Sequence, residues 1–196
     1  MIAASASFAT PIGYQTNTMV YAAADYVTVN ISSPNTKNLR DMQDESRLHA
    51  LLSDLVATAA GLAQRHGKRV PLLVKIAPDV SIEQLDGVVT AAREAGVDGL
   101  IATNTTIDRA AVQGSEHASE AGGLSGAPLR TASTETLRRL RQRVGSDFVL
   151  VGVGGVMSGA DARAKREAGA DLVQLYTGFI YRGPSLIAEA ARALKS

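Results

Sequence analysis

Apolar positions along this chain follow two alternating rhythms. Short unbroken runs rich in β-branched residues give way to longer stretches in which apolar side chains recur every three or four positions. The first run, Tyr26–Asn30, predicts a strand, and Pro34 stops it, because proline lacks an N–H and biases Ser33 towards extended backbone. Leu48, Leu51, Leu52, Leu55, Val56, Ala59 and Leu62 then trace one helical face, closed by Gly67. The pair repeats. Val70–Ile76 predicts a strand, and the helix after it carries Leu85, Val88, Val89 and Ala92 and ends at Gly96. Ser81-Ile-Glu-Gln84 fits a capping box at its start. Gly99–Thr106 predicts a third strand, followed by a long polar loop, Gln113–Gly123, and a helix over Thr134–Val144. Phe148–Val153 predicts a fourth strand, and Ser158-Gly-Ala-Asp161 opens a helix that ends at Gly169. Leu172–Tyr176 predicts a fifth strand and Ser185–Leu194 a closing helix. Residues 1–24 form a poorly assigned amino-terminal segment with room for one more strand over Met1–Ser7.

Strands that read as continuous apolar runs, rather than alternating ones, are buried on both faces, as in a parallel sheet. With helices between them and no hairpin signal, the class is α/β. A doubly wound sheet and a (β/α)₈ barrel both fit this alternation. The strand ends favour the barrel: each closes on polar residues or glycine, and a barrel gathers such ends on one rim, where the site is built. Eight units need roughly 250 residues, about 31 each. The 196 residues here supply five to six units, so residues 25–196 read as a partial barrel of the TIM family. Its open sheet edges suit association with a partner or with a second copy.

Composition narrows the chemistry. A net charge of +1 and 4% aromatic residues without tryptophan give nucleic acid neither a basic field nor a stacking platform, so no nucleic-acid partner is expected. The densest basic cluster, Arg138 to Arg143, follows a helical pattern and reads as its solvated face. The absence of cysteine excludes disulfides and thiol catalysis. The apolar runs are far shorter than a membrane span, and Met1–Phe8 lacks the length and charge of a secretion signal, so a cytoplasmic chain is expected.

Three places carry candidate chemistry. The stretch Asn30–Asn38 holds three Asn, two Ser, one Thr and one Lys at a strand end, which is either a Ser/Asx-rich turn or a dense set of donors and acceptors. Lys75 interrupts an apolar strand, and a buried ammonium needs an anionic partner, either a core carboxylate or a bound group. The last two strands close on Gly154-Gly155 and Thr177-Gly178, which read as tight turns or as backbone cradles for phosphate. The dinucleotide fingerprint fails there, because Met157 stands where its third glycine belongs. His49, His66 and His117 have no partner pattern and are expected on the surface.

Six motifs in order carry a resemblance: Asn30-Ile-Ser-Ser-Pro-Asn-Thr36, Val74-Lys-Ile-Ala-Pro78, Ile101-Ala-Thr-Asn-Thr-Thr106, Gly122-Gly-Leu-Ser-Gly126, Gly152-Val-Gly-Gly155 and Gln174-Leu-Tyr-Thr-Gly-Phe179. From Ala24 to Ser196 the chain resembles the carboxy-terminal portion of the class 2, quinone-dependent dihydroorotate dehydrogenases. The resemblance implies an FMN-dependent (β/α)₈ barrel that oxidises dihydroorotate to orotate in pyrimidine synthesis. It implies that Ser33 is the base for the C5 proton, with Thr36 beside it as a relay. It implies that Asn30, Asn35, Asn104 and Thr105 hold orotate, that Lys75 lies near the flavin ring, and that Thr103 and Asn30 border it. Gly126, Gly154, Gly155, Tyr176 and Thr177 would contact the FMN phosphate and ribityl chain. The family's first half, and the amino-terminal extension that meets quinone at the cytoplasmic side of the membrane, find no match in this sequence. Two other readings stay open: a non-redox phosphate-binding barrel enzyme, and an inactive half-barrel that serves binding or assembly.

Overall fold

A computed structural model describes residues 25–34 and 45–195. The expected strand at Met1–Ser7 and the candidate residues Asn35 and Thr36 lie outside the described residues. The five expected strands all form: β1 (Val27–Asn30), β2 (Leu72–Ile76), β3 (Gly99–Ala102), β4 (Val149–Val153) and β5 (Leu172–Gln174). They pair in chain order, all parallel. A doubly wound sheet reverses its strand order at a switch point. Strictly sequential order with crossovers of one hand keeps every helix on one face, which is the arc of a barrel wall.

Six α-helices stand among the described residues: α1 (Glu45–His66), α2 (Ile82–Ala95), α3 (Arg130–Val144), α4 (Gly159–Glu167), α5 (Thr177–Arg182) and α6 (Ser185–Lys195). Their apolar stripes meet the outward side chains of the sheet. Leu48, Leu52, Leu85, Val88, Leu137 and Leu140 pack with Val74, Leu100 and Leu150 in one core. The alternate positions Leu73, Ile101, Val151 and Val153 form a separate inner cluster. Because side chains alternate along a strand, Lys75 shares the inner face with Leu73.

Caps fix where helices start. Ser81 and Gln84 form the expected capping box: Gln84 N–H donates to Ser81 Oγ (3.2 Å), and Ser81 N–H donates to Gln84 Oε1 (2.9 Å). At α4 the pattern is shifted. Asp161 N–H donates to Ser158 Oγ (3.2 Å), while the Asp161 carboxylate accepts from Met157 N–H (3.0 Å), one residue earlier than a capping box requires.

Four details differ from expectation. The third strand ends at Ala102, so Thr103–Thr106 belong to the loop; Thr106 and Leu124 then bridge antiparallel and tie the long loop's ends together. The fifth strand ends at Gln174, and Thr177–Arg182 forms the unexpected α5, a turn and a half too short to show a helical period. α3 starts at Arg130, not Thr134, because its buried face begins with polar residues, Ser133 and Thr136, that an apolar template passes over. Arg141 is not on a solvated face. Its guanidinium donates to the carbonyls of Gly169 (2.7 Å) and Phe148 (3.0 Å) and pairs with Asp171 (2.6 Å), stitching α3 to the turns that lead into β4 and β5. Arg138 and Arg139 do remain exposed beside Glu135, and the histidines are half-exposed or exposed.

Candidate active site at the strand ends

β1, β2 and β3 deliver the polar cluster. Asn30 ends β1 opposite Lys75 of β2, and Thr103-Asn104-Thr105 follows β3. Asn104 Nδ2 donates to Asn30 Oδ1 and to Ser32 Oγ, each at 3.1 Å, and Asn104 Oδ1 accepts from Thr105 N–H at 2.8 Å. Ser32 N–H also donates to Asn30 Oδ1, at 3.2 Å. Ser32 Oγ lies 2.8 Å from the Lys75 carbonyl and 3.1 Å from Asn30 Oδ1; with one proton to give, it favours the shorter contact. These bonds settle the amide orientations. Asn104 is committed at both ends. Asn30 has its oxygen committed, and among the described residues its Nδ2 protons meet no acceptor. It therefore presents donors to whatever lies beside the cluster.

Ser32, fully buried, is the hub that sequence reasoning missed. The doublet Ser32-Ser33 marked the place, but nothing in the pattern separates the inward serine from its neighbour. Ser33 is half-buried at the adjacent position. Its loop is brought to the cluster by packing: a Cβ on Gly123 would lie 1.8 Å from Thr105 Oγ1 and 3.0 Å from Pro34 Cγ. Only a residue without a side chain lets these three loops converge. Asp79 is a second missed residue. Its carboxylate accepts from the Thr106 hydroxyl and from Ile107 N–H (3.1 Å), holding the loop after β3. Arg109 holds the loop's far side, donating to the carbonyls of Thr106, Glu120 and Gly122.

A cleft of about 300 Å³ opens beside this cluster. Its lining brings together Lys75, Thr103, Asn104 and Thr105 at one end and Gly126, Gly154, Gly155, Tyr176 and Thr177 at the other. Nine of the sequence-selected residues thus share one cavity; Asn30 joins it through Asn104, while Ser33 lies on the neighbouring loop. Leu129, Val153, Val156 and Leu175 add apolar lining to the cleft. Gly154 and Gly155 both have positive φ, 109° and 72°. A Cβ on Gly155 would come within 2.4 Å of the Arg130 backbone, so bare backbone is required at this turn. Gly126 packs on Thr177, whose hydroxyl donates to Ser125 Oγ at 3.1 Å.

Lys75 has no carboxylate partner among the described residues, so the core ion pair that the sequence allowed does not form there. Burial holds its ammonium below the usual lysine range. A partly desolvated cation with no carboxylate partner among the described residues, lining a cleft, is a place for an anion. Across the sheet, Asp161 pairs with Arg130 at 2.8 Å. Burial pushes the Asp161 carboxyl up, but hydrogen bonds from Ser158, Met157 N–H and Arg130 outweigh it, and the group stays below its ordinary value. No described helix is long and apolar enough to cross a membrane.

Comparison with known proteins agrees with this architecture. The family model described as dihydroorotate dehydrogenase matches residues 13–196. The chain is 57% identical over 176 residues to the dihydroorotate dehydrogenase (quinone) of Methylibium petroleiphilum, covering 90% of this chain and 51% of that protein. It is 59% identical over 177 residues to the protein of the same name from Bordetella avium, with the same coverage. Among solved structures, the Eimeria tenella DHODH in complex with ferulenol superposes with a TM-score of 0.85 at 36% identity, over 92% of this chain and 51% of that one. The chain thus spans about half the length of the curated relatives it matches. Five parallel strands in sequential order and a family match across nearly the whole length converge: the chain belongs to the dihydroorotate dehydrogenase family.

Proposed function

We propose that this chain carries the FMN- and substrate-binding half of a quinone-type dihydroorotate dehydrogenase, oxidising dihydroorotate to orotate in pyrimidine synthesis. The observation that carries the reading is Lys75: a cation with no described carboxylate partner, facing the cleft beside an amide cluster in which the Asn30 Nδ2 protons meet no acceptor among the described residues.

The residues present fit FMN. Gly126, Gly154, Gly155 and the Thr177 and Ser125 hydroxyls offer an end rich in backbone and hydroxyl donors, suited to a phosphate. The apolar lining suits a flat ring system, and Lys75 stands away from the glycine turn, with Thr103 and Tyr176 also on the walls. When bound, FMN supplies the hydride acceptor, and quinone, the acceptor in the relatives' name, takes the electrons onward. That last step would occur at the cytoplasmic face of the membrane, where quinone is dissolved.

The chain's own residues do the rest. Ser33 removes the C5 proton of dihydroorotate, with Thr36 as relay. A serine is a weak base, so it depends on exclusion of water and on the fixed geometry of its loop. Asn30 directs its Nδ2 protons at a substrate carbonyl, because its oxygen is already committed. Asn104, locked by three bonds, and Thr105 fix the position of Asn30 and the edge of the pocket, and Asn35 completes the substrate set. The Lys75 ammonium offsets the negative charge that arrives in the cleft with the hydride. The test is a Ser33→Ala variant under anaerobic conditions. It should bind flavin as the parent does and lose reduction by dihydroorotate by at least about a hundredfold, the scale of a lost general base. Unchanged reduction would remove Ser33 from the mechanism.

A further inference from the structure

Lys165 is 1% exposed and takes no part in the chemistry above. Its stem crosses β4 at Gly152, where a Cβ would lie 3.1 Å from Lys165 Cβ, so a bare strand position makes its room. Its ammonium donates to Ser133 Oγ at 2.5 Å and Thr134 Oγ1 at 2.8 Å, both near the start of α3. A cation buried there opposes the positive end of the helix dipole. Asp161, one turn earlier on α4, does not repay it with a direct bond, being committed to Arg130, Ser158 and Met157 N–H. Packing alone would favour an apolar side chain at this position.

The hydrogen bonds run in one direction. Thr134 Oγ1 donates to the Arg130 carbonyl at 2.7 Å. Ser133 Oγ, accepting from Lys165, has one proton and two carbonyls in reach, Gly154 at 3.0 Å and Arg130 at 3.1 Å. With Arg130 already served by Thr134, the proton goes to Gly154. In a trans peptide the carbonyl and the next N–H point opposite ways, so pinning the Gly154 oxygen behind the turn aims the Gly155 N–H away from α3.

We infer that Lys165 is a positioning residue which, through Ser133, holds the Gly154–Gly155 turn in the conformation that receives the phosphate of FMN. This rests on the flavin reading above.

The test compares Lys165→Met, Ser133→Ala and the double variant in the full chain. FMN and riboflavin dissociation constants are measured by flavin fluorescence, together with the melting temperature of the flavin-free protein. Each single change should weaken FMN about tenfold, leave riboflavin within about twofold and not lower the melting temperature of Lys165→Met. The double variant should be no worse than either single one, because both remove the same link. If the parent binds FMN and the variants bind it equally well, the inference fails alone. It also fails if FMN and riboflavin weaken together with a falling melting temperature, which is the signature of plain structural damage. A parent protein that binds neither flavin overturns the flavin reading and the inference with it.

Discussion

Two buried lysines, one on β2 and one on α4, are held in states that cost stability, for different reasons. Lys75 faces the cleft without a described counter-ion, and burial depresses its affinity for protons. Lys75→Met should therefore raise stability by on the order of 1 kcal/mol in a denaturant titration. It should also slow flavin reduction, because the compensating charge is lost. Lys165 is held down to about 8, first by desolvation, then by Arg130 against the opposing pull of Asp161. Its folded value lies below its unfolded one near 10.5. Between those values the unfolded chain binds more protons, so stability rises with pH from about 8 and falls back as pH drops through that value. The parent minus Lys165→Met difference in unfolding free energy should thus grow by roughly 3 kcal/mol across that window; a flat difference would show that the lysine is not desolvated. At this scale the sequence was informative where a residue broke its context. Lys75 interrupts an apolar run and was legible. Ser32 sits beside an identical residue, and Lys165 lies in a charged helix that reads as surface; neither could be picked out without coordinates.

Helices and strands here are decided by their ends. The Ser81–Gln84 box was legible because its two partners are three residues apart, and Ser81→Ala should cost about 1 kcal/mol in thermal or denaturant unfolding. The Gly154–Gly155 turn was visible as a dipeptide, but its tightness was not, since Arg130, the residue it packs against, comes from the preceding helix. Gly155→Ala meets both a positive φ and a backbone 2.4 Å away, so it should destabilise the fold by at least about 1–3 kcal/mol and abolish FMN uptake. The start of α3 and the whole of α5 escaped the sequence reading for opposite reasons. α3 buries hydroxyls on its first two turns, while α5 leaves Ile180 and Tyr181 exposed. Periodicity finds an element only when its buried face is apolar and longer than a turn or two.

At the scale of the molecule, strand order carries the fold. Parallel pairing follows from five βα repeats without a hairpin, and that much was written in the hydrophobic pattern; the sequential order of the strands was favoured only by their polar ends. The pattern also foresaw two sheet edges. Among the described residues β1 and β5 each have one neighbouring strand, and Leu172, Tyr176, Phe179, Ile180 and Tyr181 are exposed around the β5 edge. Such an edge recruits strands. Sedimentation or light scattering of the chain by itself should report concentration-dependent self-association, and a strictly monomeric chain at high concentration would count against it. The central claim is that the cleft between Lys75 and the Gly154–Gly155 turn holds a flavin which dihydroorotate reduces. Absorbance after reconstitution with FMN and anaerobic addition of dihydroorotate tests it most directly. The flavin bands should appear on the purified protein and bleach as orotate forms in a one-to-one ratio; a folded protein that stays colourless, or keeps its bands unbleached, would contradict it.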